Sequence, residues 1–112
     1  MNEIMVSVIL IVYNHEKYLV QAIESILVQE VDFEYEIIVA EDMSTDSSRL
    51  IIDEYVKDYP KLFKPLYRQE NVGATKNFYE ACTAARGKYI AHLEGDDYWC
   101  DNRKLQKQVI YR

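Results

Sequence analysis

With 112 residues, 49% of them apolar and 29% charged, the chain is long enough for one hydrophobic core and too short for two, and this composition excludes a disordered segment. The formal charge of −6 excludes wholesale binding of nucleic acid, because no basic run is present to neutralise phosphates. Two cysteines without metal-ligand spacing, and an apolar run at residues 4–12 too short for a bilayer and without a signal peptide's flanks, exclude a disulfide scaffold and a membrane span. The expected setting is the cytoplasm, extending to the inner face of the cell membrane.

The run VSVILIV, Val6 to Val12, is continuously β-branched and aliphatic, the pattern of a strand covered on both faces. It breaks at YNHE. Leu19, Ala22, Ile23, Ile26 and Leu27 then put one apolar stripe on a helix predicted over about residues 16–29, with Asn14 as its cap. A second apolar run, Ile37 to Ala40, ends in EDMSTDSS, where Ser44, Thr45 or Asp46 supplies the acceptor for the next helix start. That helix carries Ile51, Ile52, Tyr55, Val56 and Tyr59 inward and stops at Pro60. LFKPLYR is a third strand, and Pro65, which removes a ladder donor, puts it at or near a sheet edge. In NVGATKNFYEACTAARG the residues Ala74, Phe78, Ala81, Cys82 and Ala85 share one helical face, and Gly87 closes the helix. KYIAHL is the fourth strand, with EGDD at its C-terminal end. The last stretch, DNRKLQKQVIYR, reads as another amphipathic helix carrying Leu105 and Val109.

Strand alternating with helix through four cycles predicts a single α/β domain over residues 1–112, a doubly wound, mainly parallel sheet with helices on both faces. An edge position for the Pro65 strand gives the order 3-2-1-4, with the winding reversing between strands 1 and 4. Ligands in such sheets bind at that switch, outside the carboxyl ends of the strands. Those ends are YNHE and EGDD.

Glu94, Asp96 and Asp97 fall within four residues. One reading is a solvated turn capped by Asp96 or Asp97. The other starts from their mutual repulsion, roughly a few kcal/mol per close pair at an effective dielectric near 20, which a hard divalent cation would relieve. Carboxylate oxygens suit Mg²⁺ or Mn²⁺, ions typically shared with substrate phosphates. Asp42 sits too early to cap the second helix and is a candidate acceptor for a base N–H or a ribose hydroxyl. His15 is expected on a solvated turn and His92 within a packed strand. Cys82 is expected as a buried thiol, and Tyr98 and Trp99 as packing beneath the acidic turn.

Together, VSVILIVYNHEKYLVQAIESILVQ, EIIVAEDMSTDS, NVGATKNFYEACTAARGKYI and HLEGDDYW resemble the nucleotide-binding half of an inverting family 2 glycosyltransferase with the GT-A fold, in order and over nearly the whole chain. The resemblance implies transfer of a sugar from a nucleotide-sugar, a UDP-sugar, to a hydroxyl of a glycan or lipid-linked acceptor. Polysaccharide or cell-surface glycan synthesis is the implied context, with Mn²⁺ or Mg²⁺ as cofactor. Carried over by position, Tyr13 flanks the base, Asn14 shapes the turn, and Glu16 belongs to the same nucleotide-binding loop. Asp42 would bind uracil or ribose, and Lys76 would face the diphosphate. Asp96 would contact ribose or metal, Asp97 would lead the metal ligands, and Glu94 replaces the first Asp of the family's DxD motif. Glu41 likewise stands for the first Asp of an acidic pair, and Met43 for a usual Gly. The catalytic base is expected downstream of Arg112, so the chain reads as a donor-binding half that binds nucleotide without transferring sugar. Apolar surface near strand 4 would favour self-association.

A non-catalytic nucleotide-sugar-binding module fits the same residues. A receiver-type regulatory domain fits less well, since its acidic pair follows strand 1. A dinucleotide-dependent oxidoreductase needs G-x-G-x-x-G after strand 1, and an EF-hand needs a central Gly and a terminal Glu; neither pattern is present.

Overall fold

A computed structural model describes residues 3–106. Four parallel strands, β1 (Ile4–Val12), β2 (Glu34–Glu41), β3 (Phe63–Tyr67) and β4 (Tyr89–Glu94), form one sheet in the order β3-β2-β1-β4. Three helices connect them: α1 (Leu19–Leu27), α2 (Ser48–Asp58) and α3 (Ala74–Cys82). The fold class and strand order are those the sequence predicts.

The apolar run of β1, interrupted only by Ser7, follows from its place in the middle of the sheet. Val6, Val8, Leu10 and Val12 join Leu19, Ala22, Ile23, Ile26 and Ile52 in a core beneath α1 and α2. Ile9 and Ile11 point the other way, into a smaller core with Ile38, Ala40 and Ala81 of α3. Both faces are thus covered, and successive residues serve opposite cores. Pro65 pairs in register with Val39 on the edge strand, where its missing N–H costs no ladder bond.

Several local expectations are corrected. Helix α1 starts at Leu19 rather than near residue 16, because the His15 carbonyl accepts the N–H groups of both Tyr18 and Leu19 and closes a turn first. Asn14 does not cap it: its φ of 55° is left-handed, and its side chain serves β2's loop instead. Asp46 is the residue that meets the start of α2, its Oδ1 accepting from Ser48 N at 2.9 Å. Tyr59 lies just past α2 and stays 44% exposed. Helix α3 ends at Cys82, five residues before Gly87. Gly87 enters β4 so close to β1 that a Cβ there would stand 2.5 Å from Ser7 N, and its own N–H donates to Ser7 Oγ. His92 faces outward on β4, its ring 4.7 Å from that of Phe78. Cys82 is half-buried, Trp99 packs against the larger core, and Tyr98 is exposed. Residues 104–106 are helical and Leu105 is buried, while Val109 lies outside the described residues.

Candidate functional site

Three loops meet at the carboxyl ends of β1, β2 and β4. The turn after β1 is lashed to the one after β2: Asn14 N donates to Ser44 Oγ at 3.0 Å, and Asn14 Oδ1 accepts from Thr45 N at 2.8 Å. His15 N and Glu16 N donate to Ser48 Oγ and Asp46 Oδ2. The left-handed backbone at Asn14 is a conformation Asn tolerates better than most residues, and it turns the chain between these partners.

Asp42 continues β2 by one residue, its N–H donating to Val12 O at 2.9 Å. The residue is buried, 2% exposed. Oδ1 accepts from Val72 N at 2.7 Å and Oδ2 from Gly73 N at 2.9 Å, while Asn71 Nδ2 donates to the Asp42 carbonyl. One side chain therefore holds the loop that leads into α3, where Gly73 has a φ of 89°. Asn77 clamps the same region from the helix, donating to Ala40 O and accepting from Arg68 Nε.

Between these loops lies a cleft of about 260 Å³, lined by Ile11, Tyr13, His15, Asp42, Asn71, Gly73, Ala74 and Glu94. It sits where the winding reverses between β1 and β4, the position expected for a ligand in a doubly wound sheet. Tyr13, Asp42 and Glu94, named from the sequence, come together here. Asn14 supports the cleft from outside, and Glu16 is exposed beyond it. Lys76 is 62% exposed and lies 3.9 Å from Glu80 instead of in the cleft.

The acidic turn after β4 is open. Glu94 Oε1 is 3.3 Å from His92 Nε2, Asp96 Oδ2 is 3.8 Å from His15 Nε2, and Asp97 Oδ1 accepts from Tyr98 N at 2.8 Å. Among the described residues no three His, Cys, Asp or Glu side chains converge as a ready-made cation site. The donor set is nonetheless all carboxylate oxygen, and Mg²⁺-type sites commonly take one or two such ligands and complete the shell with water and substrate phosphate. In that sense the residues fit the cation.

Sequence reading missed His15, Asn71 and Gly73 as cleft residues. The signal for the last two was the Asn-Val-Gly ahead of a helix, a loop needing positive φ. His15 carried no local signal.

A parallel sheet wound in this order, with a carboxylate-lined cleft at its switch point, is the architecture of a doubly wound, Rossmann-like α/β domain. The profile of Glycosyl transferase family 2 matches residues 7–111, and the chain belongs to that family. The uncharacterised protein Rv1520 of Mycobacterium tuberculosis is 48% identical over 105 residues, which are 94% of this chain and 30% of that protein. The minor teichoic acid biosynthesis protein GgaB of Bacillus subtilis is 39% identical over 93 residues, 81% of this chain and 10% of GgaB. The chain thus spans less than a third of the length of either relative. Among solved structures, S. aureus TarS 1-349 in complex with UDP-GlcNAc superimposes with a TM-score of 0.85 at 28% identity, covering 96% of this chain and 31% of that one. The mannosyltransferase PcManGT of Pyrobaculum calidifontis shares the fold, with a TM-score of 0.84 at 22% identity over 96% of this chain and 32% of that one.

Proposed function

We propose that this chain binds the donor of a glycosyl transfer, a UDP-sugar, for inverting transfer to an acceptor hydroxyl in polysaccharide or cell-surface glycan assembly. The observation that carries the reading is the cleft at the β1/β4 switch, where Tyr13, Asp42 and Glu94 meet the N-terminal end of α3. Tyr13 is 41% exposed at the mouth and offers a ring face to a base. Asp42 has both oxygens engaged by N–H groups but keeps acceptor capacity, because a carboxylate offers about four lone-pair directions; it receives a nucleoside N–H or hydroxyl. The start of α3 favours negative charge through its unpaired N–H groups. Lys76, near that start, leaves Glu80 for the diphosphate. TarS bound to UDP-GlcNAc supports the choice of a UDP-sugar, and the teichoic acid role of GgaB supports the cell-surface context.

Asp97, with Asp96 and Glu94, would hold Mg²⁺ or Mn²⁺, which when bound offsets charge on the departing diphosphate. None of the described residues is assigned as the base that activates the acceptor hydroxyl, so the reading gives this chain the donor side of the reaction alone. The exposed outer side of β4, where Ile90 is 48% exposed, is the surface for self-association.

Titration calorimetry with UDP tests the donor reading. Binding should require Mn²⁺ or Mg²⁺ and fall at least tenfold in Asp97→Asn. Equal affinity in EDTA would remove the metal, and no uptake of UDP under any condition would remove the donor site.

A further inference from the structure

His15 is not assigned above, yet its ring stands between the two loops that frame the cleft. Its backbone is fixed at both ends: His15 N donates to the buried Ser48 Oγ at 3.0 Å, and its carbonyl accepts from Tyr18 N and Leu19 N, each at 2.9 Å. The side chain is only 18% exposed. Tyr13 N donates to Nδ1 at 3.4 Å. A ring nitrogen that accepts carries no proton, so in the neutral imidazole the proton is on Nε2. Nε2 faces Asp96, whose Oδ2 is 3.8 Å away; Asp96 is itself 54% exposed, and a small rotation brings it into hydrogen-bond range.

Gly95 completes the arrangement. A Cβ at that position would lie 2.5 Å from His15 Nδ1 and 3.2 Å from Cγ, so the ring packs directly on the bare Cα of the acidic turn. The backbone of that turn is anchored to β1 through Gly95 N and Ile11 O at 2.8 Å. The carboxylate of Asp96, by contrast, is exposed, and His15 Nε2 is the partner that faces it.

We propose that His15 is a positioning residue for Asp96. Its ring, with Nδ1 facing the Tyr13 N–H and Nε2 facing Asp96, fixes the acidic turn after β4 against the turn after β1, so that the nucleoside side and the metal side of the cleft share one geometry. The proposal rests on the donor-site reading for its consequence and on the ring's own contacts for its substance. Histidine supplies a donor and an acceptor at fixed separation, and glutamine and asparagine each reproduce one of them. The amide nitrogen of Gln stands about where Nε2 does, and the carbonyl oxygen of Asn about where Nδ1 does.

The test compares His15→Gln, His15→Asn and His15→Ala, each checked for folding by thermal melting. In Mn²⁺-dependent UDP binding, His15→Gln should stay within about threefold of the parent, while His15→Asn and His15→Ala lose about tenfold, the worth of one hydrogen bond to a charged group. Gly95→Ala, which displaces the ring without removing it, should match His15→Ala. A purely structural histidine would give no preference for Gln, so Asn equal to or better than Gln, or three variants alike, overturns the proposal. If the parent binds no UDP the donor-site reading fails, and long-range ¹H–¹⁵N spectra of the His15 ring, taken well above the usual imidazole range, decide the rest. They should show Nε2 protonated, with a shift in its resonance on Asp96→Asn. A proton on Nδ1, or no response to Asp96→Asn, overturns the contact.

Discussion

Met43 adopts a φ of 61° just after the cleft carboxylate Asp42. A left-handed backbone costs a non-glycine residue roughly 1–2 kcal/mol, part of which glycine returns through its freer unfolded chain. Met43→Gly should therefore raise stability by up to about 1 kcal/mol, visible as a higher melting temperature, and a lower one would mean that the thioether's contact with Arg49 outweighs the strain. Its neighbour Glu41 is fully buried, with Oε1 accepting from Ser44 N at 2.7 Å and Oε2 from Arg49 Nε at 2.6 Å. Breaking a buried pair leaves one charge uncompensated, so Arg49→Met should cost about 3 kcal/mol in denaturant unfolding. Asp42→Ala orphans the N–H groups of Val72 and Gly73, and a loss of about 2 kcal/mol follows if both become unsatisfied. The same variant should weaken uridine and UDP by a similar factor in calorimetry; a loss confined to UDP would move Asp42 to the diphosphate. The sequence singles out Asp42 as a nucleoside acceptor, but the hydrogen bonds that hold these residues in place are not legible in it. The partners of Asp42 and Asn14 lie some thirty residues away in sequence, and a backbone turned left-handed by a distant hydrogen bond leaves no local pattern.

Elements were more legible than loops because their causes are local. Apolar runs of strand length, helical stripes and the single Pro65 carried the order β3-β2-β1-β4. Gly87 shows where such reasoning stops: a glycine after a helical pattern reads as its terminator, whereas this one is demanded by the backbone of β1, a contact no spacing reveals. Gly87→Ala would drive a methyl group into Ser7 N and Val6 C and should destabilise by about 2 kcal/mol or more. At the same junction Glu36, 1% exposed on β2, accepts from Ser7 Oγ at 2.6 Å and from Arg86 N at 2.8 Å. Burial alone would raise its carboxyl, but the hydrogen bonds from Ser7 and Arg86 and the Arg86 charge outweigh it and hold the group below its ordinary value of 4.5. A carboxyl depressed in the folded state stabilises above the unfolded value, and that contribution disappears as pH falls through the folded one. Stability should therefore decline below about pH 4.5, and Glu36→Gln should flatten this acid limb while lowering the neutral plateau. An unchanged acid limb in the variant would assign the decline to other carboxylates.

For the whole molecule, β4 has one strand neighbour among the described residues, and Ile90 and Tyr79 are 48% and 66% exposed on that side. Light scattering at rising concentration should give a mass above that of the 13.3 kDa monomer, and Ile90→Lys should return it to one copy; a monomer at every concentration would discard the association. The strand order also sets a sequence of events in time. β2 pairs with β1 and β3 through partners such as Ile4 with Glu34 and Ile37 with Phe63, whereas β4 joins β1 through Val6 with Tyr89, a far longer span of chain. Closing a longer loop costs more entropy before any contact rewards it, and such pairings tend to form late. Tyr13 and Asp42 come from the early part of the sheet, and Glu94 arrives only with β4. In stopped-flow refolding, the capacity to bind nucleotide should therefore appear after most of the helical ellipticity has returned, making the ligand a clock for the final step of folding.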